Sequence, residues 1–339
     1  MSRAYVETLL NELKLRSGEI TEPFETIYLG GGTPSSLSPA LLSELIDRLP
    51  TESTKEFTIE VNPEDVNQEF IRLLNASPIN RVSMGVQSLN DSELAFIGRR
   101  HSATDAIKAF NMLRDAGISN ISLDLIYGLP GQTLDSWNDS LSQIIAMNPE
   151  HLSAYTLMLE PGTRLTAMAS AGKFTPTDDA TISRMYDSLQ ALTKAGGYEH
   201  YEISNFARPG FRSRHNSSYW DFTPYLGLGT SAHSFDGKVR RFNPANIKKY
   251  IESAGATAVI DPETSEEQAN DYIMVRLRTS EGLSLNSLAK RFGESVANHV
   301  RKESLPLIVR GRLRDNNGTL NIPQELFLIS DSIISDVMI

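Results

Sequence analysis

A repeated alternation governs what this chain can fold into. Short apolar runs at residues 27–29, 57–61, 81–86, 121–126, 152–157 and, less regularly, 198–203 are each separated from the next by helical spacing. The helical stretches are 39–49, 68–75, 91–97, 103–116, 135–147 and 179–195. Runs of this length between amphipathic segments read as buried strands. Strand and helix in series imply a parallel sheet with right-handed crossovers. Two features favour a full or partial α/β (TIM-like) barrel over an open sheet. No Gly-x-Gly-x-x-Gly fingerprint is present, and polar residues recur at successive strand ends: Thr33, Glu60 with Asn62, Gln87 with Ser88, Asp124, and Glu202 with Asn205. In a barrel those ends converge on one mouth, whereas a doubly wound sheet uses only its switch point.

The first run leads into Gly30, Gly31, Gly32 and Thr33. Three glycines remove every side chain where the chain leaves the strand, at a cost in backbone entropy that close approach of another molecule would explain. Pro34 stiffens the exit, and Ser38 with Pro39 reads as the N-cap and first residue of a helix. Strand, glycine turn and helix together place a ligand at the strand's C-terminal end. Upstream, residues 4–16 set Val6, Leu9, Leu10 and Leu13 on one helical face, and downstream Ser102 with Asp105 reads as a capping box and Gly117 as a C-cap around the helical stretch 103–116.

From about residue 245 the pattern changes. Helical spacing at 244–253, 266–279, 284–292 and 295–309 precedes two short runs, 312–314 and 319–322, flanking Asn316-Asn317-Gly318. That order predicts a small, mainly helical, winged-helix-like domain ending in a hairpin. Its basic residues Lys290, Arg291, Arg301, Lys302, Arg310, Arg312 and Arg314 read as a solvated face, because the net charge of −10 argues against a nucleic-acid binder. No signal-peptide pattern opens the sequence and no apolar run reaches membrane-spanning length, so a cytoplasmic protein is expected. There is no cysteine. Disulfides, thiolate nucleophiles, cysteine-ligated zinc and any iron–sulfur cluster held by these residues' own thiolates are excluded.

In order along the chain stand Gly-Gly-Gly-Thr-Pro-Ser (30–35), Glu-Val-Asn-Pro (60–63), Ser-Met-Gly-Val-Gln-Ser (83–88), Asp-Leu-Ile-Tyr-Gly-Leu-Pro-Gly-Gln-Thr (124–133), Tyr-Glu-Ile-Ser-Asn-Phe-Ala (201–207) and His-Asn-Ser-Ser-Tyr-Trp (215–220). Together they resemble the radical S-adenosylmethionine (SAM) proteins related to oxygen-independent coproporphyrinogen III oxidase, nearest to the haem-chaperone branch, HemW. The resemblance implies a radical SAM-type barrel over 1–244 and a HemN-type C-terminal domain over 245–339. It also implies SAM contacts at Gly31, Gly32, Thr33, Glu60, Gln87, Arg99 and Asp124. The chemistry suits these types: the ligand's ammonium needs an acceptor such as Glu60, its carboxylate a donor such as Arg99, and its ribose hydroxyls Gln87 and Asp124.

Members of this family carry a Cys-x3-Cys-x2-Cys loop after the first barrel strand, holding a 4Fe-4S cluster that chelates and reduces SAM. Both elements precede the helix that opens this sequence. The expectation is a barrel lacking its first strand here, with strand and loop either upstream of this sequence or lost in a cluster-less relative. The unpaired edge that such a loss leaves favours the former. No metal ligand is assigned within the 339 residues, which by themselves are not expected to cleave SAM.

Of six histidines, His101, His151 and His299 read as structural or solvated. His215 opens a motif that the resemblance associates with haem, and His233 lies in a glycine-spaced loop, 227–234. A neutral imidazole can ligate haem iron, and Tyr219 and Trp220 could cover a porphyrin face. The expected function is therefore binding: a chaperone that holds haem, SAM and, when intact, the cluster, takes electrons from a donor and delivers haem to acceptor proteins. The competing expectation is an enzyme, oxidatively decarboxylating two propionates of coproporphyrinogen III. The 215–220 motif favours the chaperone.

Overall fold

The computed structural model describes residues 1–339. They form two compact units, one of Tyr28–Pro39 with Glu56–Ser213, the other of Met1–Ile27, Ala40–Lys55 and Arg214–Ile339.

The first unit is built on a curled, half-barrel sheet of β1 (Thr26–Leu29), β2 (Glu56–Val61), β3 (Arg81–Gln87), β4 (Ile121–Tyr127), β5 (His151–Thr156), β6 (Glu199–Glu202) and β7 (Asn205–Ala207). The strand order is β1-β2-β3-β4-β5-β7-β6. Strands β2 to β5 are parallel, in the register Glu60↔Ser83, Gly85↔Asp124 and Asp124↔Ser153. Alternation divides the two faces. Ile121, Leu123 and Leu125 are fully buried on one side, and the intervening helices carry matching apolar stripes such as Trp137, Leu141 and Ile144. The other face carries Thr58, Glu60, Arg81, Ser83, Ser122, Asp124, His151 and Ser153. An inner face this polar is a lining for something polar rather than an apolar core.

The end of the sheet departs from the parallel series expected over 198–203. β7 runs antiparallel to both β5 and β6 and lies between them. Only Ile203 and Ser204 join β6 to β7, and two residues can make a hairpin but not a crossover.

In the second unit, β8 (His233–Phe235), β9 (Arg240–Phe242) and β10 (Val259–Asp261) form an antiparallel sheet that the periodicity does not disclose, each strand being three residues long. The helix Ser2–Leu15 belongs to this unit and contributes Glu12, wholly buried, whose carboxylate accepts from Gly229 N–H (2.9 Å), Asn243 Nδ2 (2.8 Å), Tyr250 OH (2.6 Å) and Arg16 Nη1 (3.3 Å). Farther along, helix Ser265–Leu277 leads into β11 (Leu283–Ser284), helices Leu285–Phe292 and Glu294–Val309 follow it, and β12 (Arg314–Asp315) and β13 (Thr319–Asn321) complete a sheet in the order β11-β13-β12. Asn317 and Gly318, at φ 55° and 84°, form the expected left-handed hairpin turn.

Candidate functional site

The strand ends of the first unit assemble a polar mouth from the glycine turn outward. A Cβ on Gly30 would lie 2.4 Å from the Tyr28 ring and 2.7 Å from the Glu60 carboxyl carbon. Gly31 takes φ 86° and donates its N–H to Glu60 Oε2 at 3.0 Å, while Tyr28 OH donates to Glu60 Oε1 at 2.8 Å. Glycine at 30 and 31 thus lets the chain fold over the Glu60 carboxylate. Burial raises that carboxyl's pKa; the bonds from Tyr28 and Gly31 oppose the rise, and Asp124 adds to it.

Asp124 stands on the inner face of β4. Ser83 Oγ donates to it at 3.1 Å, Ser122 Oγ at 3.4 Å, and Ser153 also bonds it. Burial drives its pKa up, against the pull of these hydroxyls and of Arg81. Arg99 follows the helix Asp91–Phe96 and donates Nη1 to Asn62 Oδ1 at 3.3 Å; burial lowers its pKa, while Glu64 and Asp124 raise it. The sheet bulges between Gly85 and Gln87, with Gln87 at φ 69°. A Cβ on Gly85 would stand 2.8 Å from Gln87 Nε2, so glycine there makes room for the carboxamide.

Two carboxylates that sense each other, Glu60 near the end of β2 and Asp124 midway along β4, are therefore joined by a carboxamide at the end of β3 and by a half-buried guanidinium that senses Asp124. Such a set can hold a zwitterion by both ends and accept from hydroxyls. Gly32 has nothing within 4 Å of a Cβ position, and Thr33 leads into the 3-10 turn Pro34–Ser36.

In the second unit, His215 lies on the helix Arg214–Trp220, with Nδ1 2.9 Å from Thr26 Oγ1 and Nε2 2.9 Å from Tyr219 OH. His233 opens β8, is exposed, and stacks on Phe242 with ring centres 5.8 Å apart.

Comparisons with known proteins fit this architecture. Residues 3–144 match the Radical SAM superfamily and residues 264–325 the HemN C-terminal domain. The chain is 34% identical over 302 residues to the haem chaperone HemW of Bacillus subtilis, covering 86% of this chain and 80% of that one. It is 31% identical over 342 residues to haem chaperone HemW of Lactococcus lactis, covering 99% and 89%. The chain belongs to the HemW family. Among solved structures, coproporphyrinogen III oxidase (HemN) of Escherichia coli, a radical SAM enzyme, superposes with a TM-score of 0.83 at 22% identity, covering 99% of this chain and 83% of that one. That likeness establishes a shared fold.

The two cofactors of radical SAM proteins meet different receptions in this HemW-family chain. The mouth offers the groups that SAM would need, acceptors, a donor and a carboxamide, and glycine at position 30 is what leaves room for the Glu60 carboxylate among them, since a Cβ there would meet Glu60 and Tyr28. A 4Fe-4S cluster is not accommodated by these residues, which include no cysteine and no grouping of three or more His, Cys, Asp or Glu placed to hold a metal.

Not every polar strand end belongs to the mouth. Ser88 Oγ donates to buried Glu93 at 2.6 Å, and Glu93 also accepts from Gln132 and Ser136. Glu202 closes the β6–β7 turn through Ser204 N–H and the Asn205 side chain. Sequence reasoning passed over Tyr28, the three serines around Asp124, and Arg81. The guanidinium of Arg81 is wholly buried beside Asp124 and His151, its Nε without a hydrogen-bond partner. A period of two along β3, β4 and β5, extended inward from Asp124, is the signal that would have found the serines. No helix is long and apolar enough to cross a membrane.

Proposed function

We propose that this chain is a haem chaperone, which binds haem and passes it to acceptor proteins, and that its sheet mouth binds SAM. The observation that carries the first part is the identity of 31–34% with HemW relatives across 80–89% of their length. The competing reading, coproporphyrinogen oxidation, has in its favour only a likeness of fold at 22% identity.

Within the mouth, Glu60 and Asp124 are assigned to the ligand's ammonium and hydroxyls, Arg99 to its carboxylate and Gln87 to its ribose. Gly31, Gly32 and Thr33 supply backbone along its amino-acid end. When bound, SAM supplies a sulfonium centre open to reductive cleavage, and no such cleavage is assigned to these residues. They bind and orient: Tyr28 and Gly31 fix the direction of the Glu60 carboxylate, and the serines that of Asp124.

The test is a hemin titration of the full chain, followed by mixing with apomyoglobin. Saturable uptake with a shifted Soret band, and transfer faster than from free albumin-bound hemin, is the expected result. A titration without saturation overturns the reading. Formation of protoporphyrinogen from coproporphyrinogen III would overturn it in favour of the enzyme.

A further inference from the structure

We propose that His233 ligates haem iron and that the cross-strand row His233, Phe242 and Val259 is the apolar bed for one porphyrin face. This rests on the haem reading above and adds to it which imidazole and which surface take the ligand.

The first argument is an account of ring nitrogens. An imidazole ligates iron through an unprotonated nitrogen, so a nitrogen already bonded within the protein must first give up that bond. His215 has both nitrogens engaged, with Thr26 and Tyr219. His101 bonds Glu64 and the Val86 carbonyl, and His151 bonds Ser122 and Tyr201. His200 meets Gln190 and the Ile203 carbonyl, and half-buried His299 meets the Met338 carbonyl. Only at His233 is neither nitrogen hydrogen-bonded, and that ring is exposed.

The second argument is the surface beside it. β8, β9 and β10 pair so that His233 stands opposite Phe242, and Phe242 opposite Val259. Directly paired residues of antiparallel strands point to one face. The row therefore presents an imidazole, an aromatic ring inclined 28° to it, and a valine that is 43% exposed. Aromatic and aliphatic groups in line beside a free imidazole match the apolar face and central metal of a haem.

The third argument is the mounting. Arg16 Nη2 and Gly227 N–H both donate to Ser234 Oγ at 3.0 Å, and Arg16 Nη1 donates to the Gly227 carbonyl at 2.9 Å. A Cβ on Gly227 would stand 1.9 Å from the His233 carbonyl oxygen. The backbone on either side of His233 is held while its side chain is left unbonded. A fixed backbone carrying a free imidazole is preorganised for a ligand.

The experiment is hemin titration of the full chain and of the variants His233→Ala, His215→Ala and Val259→Glu, read by Soret position, resonance Raman iron–histidine bands and dissociation constant, with folding checked by circular dichroism. His233→Ala is expected to lose the histidine-ligated spectrum and at least tenfold in affinity, with added imidazole restoring the spectrum. His215→Ala is expected to keep both. Val259→Glu is expected to keep the ligation spectrum and lose several-fold in affinity. Loss of the histidine signature in His215→Ala but not in His233→Ala overturns the assignment while leaving haem binding intact, as does no change in either. An unchanged affinity in Val259→Glu overturns the bed. A wild-type chain that takes up no hemin overturns the haem reading itself, and the assignment with it.

Discussion

A methyl group at residue 30 has nowhere to go: it would meet the Tyr28 ring at 2.4 Å and the Glu60 carboxyl at 2.7 Å, and those two side chains are bonded to each other. Neighbouring Gly32 has no atom within 4 Å of a Cβ position and an ordinary φ. Gly30→Ala is therefore expected to lose about 1–3 kcal/mol of stability through overpacking. It should also weaken SAM binding, because Glu60 must move. Gly32→Ala should stay within about 0.5 kcal/mol of the parent. Urea denaturation and calorimetric SAM titration check the pair; a Gly30→Ala chain as stable and as tightly binding as the parent would sink the argument. The glycine run was legible in the sequence as a turn at the exit of the first strand. Which glycine is needed for room and which for backbone conformation was not, because that depends on Tyr28 and on Glu60, which is 30 residues away.

At the scale of elements, the βα alternation was legible because each unit is local: apolar period, cap and turn lie within a few dozen residues. Glu60 and Gln87 were legible at the ends of β2 and β3 for the same reason, whereas Asp124, expected at a strand end, stands midway along β4. The hairpin of β6 and β7 was illegible, since a run of four residues and a run of three leave no period to read. His200 shows what the hairpin encloses. Its ring stacks on Phe206 at 4.2 Å, its Nε2 donates to the Ile203 carbonyl at 3.1 Å, and burial pushes its pKa down to about 4. A histidine that binds its proton less readily when folded contributes stability that is fully present above about pH 6.5 and is lost as pH falls toward 4. A shift of this size corresponds to roughly 3 kcal/mol between pH 7 and pH 4. His200→Asn is expected to flatten the acid limb of the stability curve by an amount of that order. Denaturation midpoints measured from pH 7 to pH 4 decide it: equal slopes in parent and variant would remove His200 as a cause. Buried His151, its pKa also lowered, adds a contribution of the same sign that the variant retains.

Over the whole molecule, the second unit is assembled from both ends of the chain, and Glu12 is where those ends meet. Its carboxylate is wholly buried and accepts from Arg16 and from three groups 217 to 238 residues away: Gly229, Asn243 and Tyr250. Nothing local marks Glu12 for this role; the helical period places it beside Leu9, Leu10 and Leu13, where a glutamate reads as an ordinary surface residue. Its partners lie on loops and short elements whose positions only tertiary packing defines. Removing the carboxylate leaves four donors facing a cavity, one of them a guanidinium. Glu12→Ala is therefore expected to cost about 3–5 kcal/mol, the range for breaking a buried ion pair from one side. Glu12→Gln should cost less, because an amide oxygen still accepts from some of these donors while its NH2 group opposes others. Because Arg16 also holds Ser234 and the Gly227 carbonyl, the damage should spread to residues 227–243 before the rest of the unit. Hydrogen exchange separates these possibilities. Faster exchange across 227–243 in Glu12→Gln, with the helix Glu294–Val309 unchanged, is the expected pattern. Uniform acceleration throughout the unit would mean that Glu12 supports its stability without specifically fixing the strand that carries His233.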